Sequence, residues 1–186
     1  MKRTVWWILA ALGLVGGAAA FFWGRPVEDP YLAALRGASA QEAIALANRW
    51  REEGRPVQSY VTARAVEFVL PGDRPYRVPL PEDQMVVAIA PYIRTTHPCE
   101  VHYMSSCQGE LANQPIQVRV TRADGTVLVD QEMRTLSNGF LELWLPRGAT
   151  YKVEMRLEGY RGVEVVETFE ASRTCVTTLK LEPDAA

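Results

Sequence analysis

Apolar and polar positions change rhythm along this chain, and the changes divide it into elements. In "SAQEAIALANRWREEG", Ala43, Ile44, Ala47 and Trp50 recur at three- and four-residue spacing, which places them on one face of a helix. Ser39 followed by Glu42 forms a capping box at its start, and Gly54 closes the pattern. A shorter helix is predicted just before it, with Asp29 as N-cap and Pro30 in the first turn. Next, "SYVTARAVEFVLPG" reads as a strand in which Val66, Phe68 and Leu70 alternate with Glu67, before Pro71 and Gly72 turn the chain. The prolines of "PYRVPLPED" suit an edge strand or a domain boundary.

From about residue 84 a period of two takes over. "MVVAIAPYI" has the apolar run of a buried strand. "IQVRVTR" alternates cleanly, and "ADG" turns it into "TVLVDQEM", which predicts a hairpin. "GFLELWLPRG", "TYKVEMRLEGYRG", "VEVVETFEAS" and "CVTTLKLE" complete the set. Short strands separated by turn signals predict an antiparallel sandwich. Phe140, Trp144, Val153, Met155 and Leu157 are its core candidates. The fold class is therefore mainly β (α+β): a small N-terminal helical and β part over residues 25–81, then a sandwich-like C-terminal β domain over residues 82–186.

Residues 1–24 stand apart from this pattern. Lys2 and Arg3 precede an uncharged stretch that contains the small-residue run Gly16–Ala20. These are the parts of a secretory signal, with cleavage after Ala20. The 19 apolar residues from Val5 to Trp23 would also span a bilayer as an inner-membrane anchor. Both readings export the rest of the chain, because the basic end stays in the cytoplasm.

Composition narrows the function classes. The chain has 186 residues, 48% hydrophobic and 23% charged, with a formal net charge of −2 and no basic block. Nothing in that balance attracts nucleic acid.

The candidate chemistry lies in the longest break in the strand pattern. "HPCEVHYMSSC" holds both histidines of the chain, His97 and His102, with Cys99 and Cys107; the third cysteine, Cys175, is far away in sequence. Thiolate and imidazole are ligands for soft and borderline metals, and thiolates select Cu(I). Zinc is the competing ion, but its structural sites are built on close pairs such as Cys-x2-Cys, and Cys99 and Cys107 are not one. His97 and Cys99 would share a side of an extended backbone, and Cys99 and His102 a helical face. The alternative is an exported structural or adhesion module with one disulfide, Cys99–Cys107 or Cys107–Cys175, and exposed histidines. Export favours disulfides, yet three cysteines leave one thiol unaccounted for.

At "HPCEVHYMSSCQGEL", and at the later cysteine in "SRTCVTTL", the sequence resembles the CueP family of bacterial periplasmic copper-binding proteins. The resemblance implies Cys99, Cys107 and Cys175 as metal and redox residues, with His97 and His102 beside them. It implies uptake of periplasmic copper, reduction of Cu(II) to Cu(I) by thiols, delivery to a Cu,Zn superoxide dismutase, and a part in copper resistance. Dimeric members imply a homodimer here. Such a protein consumes its own thiols, so it would be a stoichiometric reductant rather than an enzyme, recharged by a thiol-disulfide reductase.

Overall fold

The alternation in the sequence becomes alternation in burial, and this sets which side of each strand faces which layer. The computed structural model of the protein describes residues 29–184. Helix α1 spans Pro30–Leu35, and Asp29 caps it by accepting from the amides of Tyr31 at 2.8 Å and Leu32 at 3.1 Å. Helix α2 spans Ala40–Glu52 and opens with the capping box: the Glu42 amide donates to Ser39 Oγ, and the Ser39 amide to Glu42 Oε2. Its buried face is Ala40, Ala43, Ile44, Ala47 and Trp50. Trp50 meets Phe68 edge to face at 5.9 Å, which fastens the helix to the strands that follow. Among the described residues, 34–184 form one compact unit.

The first three strands, β1 (Gln58–Val61), β2 (Ala65–Leu70) and β3 (Arg74–Pro79), form an antiparallel meander. The strand expected in "SYVTARAVEFVLPG" is thus two strands. Thr62 divides them, its Oγ1 accepting from the amides of Arg64 and Ala65 and so offering the backbone a turn. The proline-rich β3 lies at the edge of this sheet, where a missing N–H costs least.

The remaining strands make two sheets packed face to face. One, in the order β10-β4-β7, contains β4 (Gln84–Ile89), β7 (Leu141–Pro146) and β10 (Cys175–Val176). The other, in the order β11-β9-β8-β5-β6, contains β5 (Pro115–Arg122), β6 (Val127–Arg134), β8 (Thr150–Leu157), β9 (Tyr160–Glu167) and β11 (Glu182–Pro183). Val87, Ile89, Leu141, Leu143 and Val176 from the first sheet meet Val118, Val120, Val153 and Met155 from the second in one buried cluster. Each such side chain contributes about 1.5–3 kcal/mol by leaving water. The fold is mainly β with a small helical N-terminal part, and among the described residues its named strands pair antiparallel except β10 beside β4, where Cys175 lies against Ala88.

Among the core candidates, Trp144 belongs elsewhere. Leu141, Leu143 and Leu145 take the inward phase of β7, so Trp144 and Glu142 point the other way and are only half-buried. Phe140 is fully buried, but on that second side. Leu157, at the end of β8, is half-buried against the core.

The predicted leader and anchor, residues 1–24, lie outside the described residues. Among the described residues no helix is long and apolar enough to cross a membrane.

Candidate metal centre

The same period-two rule builds the site. In β4, Val87 and Ile89 face the sandwich core, so Ala88 and Ala90 face away from it. In β10, Val176 faces the core and Cys175 faces away. Phe140, just before β7, follows the outward phase. Ala88, Ala90, Phe140 and Cys175 thereby form an apolar floor, and Cys107 packs onto it with Cys99 and Tyr103 at the margin. Two alanines at the end of a bulky strand, Ala88 in β4 and Ala90 just past it, leave the room that sulfur atoms occupy.

The 90–114 segment lays the other donors over this floor. A tight turn returns the Cys107 amide to the Tyr103 carbonyl at 2.8 Å, while the Tyr103 amide donates to Cys107 Sγ at 3.3 Å. His102 is pinned on both sides of its backbone. Its carbonyl accepts from the Val61 amide at 2.9 Å, and its amide donates to Thr174 Oγ1 at 3.1 Å, whose hydroxyl in turn donates to the Val61 carbonyl. The Glu100 carbonyl accepts from the amides of Thr174 and Cys175, tying the cysteine-bearing loop to β10. Glu110 accepts from the amides of Ile93, Arg94 and Thr95 and from the Arg94 guanidinium, which holds the chain leading to His97.

Five donors predicted from the sequence fall into two sets. His97, Cys99 and Cys107 form one; His102, Cys107 and Cys175 form the other, with the donor atoms of each set within 4.8 Å of one another. Cys107 belongs to both. Cys99 Sγ and Cys107 Sγ are 3.5 Å apart, and all three cysteines are free thiols. His97 and Cys99 share a set, as an extended backbone requires, whereas the helical pairing of Cys99 with His102 is not formed: neither residue is helical. The picture of incidental exposed histidines fails for His102, which is 0% exposed. Its ring stacks at 4.5 Å on Phe140, and neither imidazole nitrogen has a hydrogen-bond partner among the described residues. A buried imidazole with two unmet nitrogens beside two sulfurs is what a metal ion would satisfy.

Charge is concentrated at Cys107. The Cys175 thiol donating to it, opposed by burial and helped by His102 and the Tyr103 amide, pulls its pKa down to about 3. Cys175 is correspondingly pushed up, by holding that proton and by burial. Burial, together with the neighbouring Cys107 sulfur, raises Cys99 to about 11. His102 is pulled down by burial but carried upward on balance by the Cys107 sulfur and the Glu142 carboxylate. A thiolate between two thiols is the form of cysteine that can act as nucleophile or metal ligand.

Glu142 was not singled out in the sequence, where it reads as an ordinary outward residue of an alternating strand. Its signal was its phase: it shares the side of Phe140 and so the side of the site. Glu142 Oε1 lies 3.8 Å from His102 Nε2 and accepts from Asn48 Nδ2 of α2 at 2.9 Å.

Residues 44–180 match the family described as periplasmic copper-binding protein CueP. A crystal structure of S.CueP superposes with a TM-score of 0.75 at 31% sequence identity, covering 86% of this chain and 99% of that one. No curated protein matches the chain.

Proposed function

We propose a function on one premise: the chain belongs to the CueP family, the periplasmic copper-binding proteins. In this reading it takes up copper in the periplasm, reduces Cu(II) to Cu(I) with its own thiols, and delivers Cu(I) to a Cu,Zn superoxide dismutase, contributing to copper resistance. The observation that carries the redox part is the position of the Cys107 sulfur, 3.5 Å from Cys99 Sγ and in a common donor set with Cys175. A thiolate so placed has a partner for disulfide formation and a neighbour left to hold metal.

The chemistry balances without another reactant. Two thiols lose two protons and two electrons as one S–S bond forms, and the electrons reduce two Cu(II) to two Cu(I). The Cu(I) formed prefers sulfur to water, so binding draws the reaction forward. The disulfide ends the cycle until a thiol-disulfide reductase restores it, and the protein is a stoichiometric reductant. Copper binding as a family trait sets aside the metal-free adhesion module and places zinc second. Delivery to the dismutase, and a homodimeric state, rest on family resemblance.

Fully reduced protein mixed anaerobically with excess Cu(II), with Cu(I) followed by a chromophoric chelator, tests the reading. The expected yield is about two Cu(I) per chain, set by the electron count of one disulfide. Cys107→Ser, which removes the shared thiolate, is expected to abolish most of it. A yield near zero from the wild-type protein would leave a carrier without reductase chemistry.

A further inference from the structure

The five donors are not one site of mutual reach, and the two sets differ in access. His97 and Cys99 are half-buried, whereas His102 and Cys175 are each 0% exposed. The outer set also has an approach. An open cleft of about 230 Å³ is lined by His97 and runs past Ala90, Gln108 and Gly109. The inner set has a wall instead, because Ala88, Phe140 and the β4–β10 pairing close it from behind. Both sets offer two sulfurs and one imidazole, so both suit Cu(I). They differ in how much water and how many competing ligands can reach the metal.

We propose that Cu(I) occupies two positions in the reduced protein: a gateway at His97, Cys99 and Cys107, and a protected store at His102, Cys175 and Cys107, with the Cys107 sulfur as the pivot that holds the ion throughout the transfer. The proposal rests on the copper-binding reading above, though not on its reduction step. Inward movement breaks the bonds to His97 and Cys99 and forms bonds to His102 and Cys175. The Cys99 sulfur takes up a proton and the Cys175 sulfur gives one up, so charge is conserved and the copper stays Cu(I). Sharing one ligand keeps the ion from ever being released into water between the positions. Release to a partner retraces the path, so the gateway residues control rates and the store residues control affinity.

The test uses the full chain, anaerobic and fully reduced, and a chromophoric Cu(I) chelator as donor and competitor. Cys99→Ser is expected to slow uptake and release about tenfold each, while the equilibrium affinity changes by less than about threefold, because a lost gateway acts on both directions alike. Cys175→Ser is expected to lower affinity by about a hundredfold and leave initial uptake unchanged, since the soft store ligand is gone. His97→Ala, a loop substitution on the cleft, should repeat the Cys99→Ser result and guards against a local folding defect. Equal affinity losses for Cys99→Ser and Cys175→Ser, with unaltered rates, would overturn the two positions in favour of one. Wild-type protein that removes no Cu(I) from the chelator would overturn the copper-binding reading, and this proposal with it.

Discussion

Glu142 Oε1 stands 3.8 Å from Nε2 of the fully buried His102 and is itself held by Asn48 Nδ2 at 2.9 Å. The relationship joins three layers: helix α2 fixes the carboxylate, β7 carries it, and the carboxylate faces the imidazole across the apolar floor. The Glu142 carboxylate lies on the Nε2 side of the ring. Carboxylates behind ligand histidines fix the tautomer and raise the basicity of the ring.

Glu142→Ala is therefore expected to weaken Cu(I) binding by about 10- to 100-fold, the usual cost of losing such a support. Glu142→Gln, which keeps an acceptor oxygen, should lose less. Competition titration against a Cu(I) chelator measures both, and nitrogen NMR of the His102 ring should show the tautomer mixture change in the alanine variant. An unaltered ring spectrum together with unaltered affinity would mean that the backbone bonds to Val61 and Thr174 orient His102 alone.

Glu110 makes a pH-dependent clamp. Burial disfavours its charge, but three backbone N–H donors and the Arg94 guanidinium outweigh that and hold its pKa at about 2, below the ordinary 4.5. The group binds protons more weakly folded than unfolded. Its stabilisation is complete above the ordinary carboxylate range and is lost as pH falls from about 4.5 through about 2. Glu110→Gln should lower stability at pH 7 by about 1–3 kcal/mol, because the amide nitrogens of 93–95 lose a charged acceptor. It should also flatten this part of the acid limb. Urea unfolding at pH 7, 4 and 3 checks it; parallel curves for the two proteins would count against the clamp.

Gly139 and Gly109 bring two loops into backbone contact beside the site. Gly139 has φ +79°, and a Cβ there would meet the Gly109 carbonyl carbon and oxygen at 2.8 Å. The Gly109 amide also donates to the Asn138 carbonyl at 2.6 Å. Gly139→Ala is expected to cost about 2–4 kcal/mol, from left-handed strain plus overpacking, and to weaken Cu(I) binding by displacing the 107–110 segment. Gly125→Ala, in the distant β5–β6 turn with φ +89° and no atom within 4 Å of its added carbon, should cost about 1–2 kcal/mol from strain alone. Its Cu(I) affinity should match the wild type. Equal effects of both substitutions on copper would show that the crossing has no part in shaping the site.

Features that depend on neighbours along the chain were legible before folding. The capping box of Ser39 and Glu42, the apolar face ending at Trp50, the β5–β6 hairpin and the proline-bearing edge strand β3 are all local periodicities or turn chemistries. The ligand types were legible too, since soft donors are scarce and four of the five fall within residues 97–107. How those donors are grouped followed from long-range packing. Cys175 reaches Cys107 because β10 lies parallel beside β4, a long-range pairing that no spacing encodes. Trp144 was misplaced for a related reason: the alternation in β7 was clear, but which of its two faces met the core depended on the sheet packed against it. That same choice of face turned Glu142 toward His102 and made alanines the floor of the site. Period two states that a strand has two sides, and the partners brought together by folding decide what each side is for.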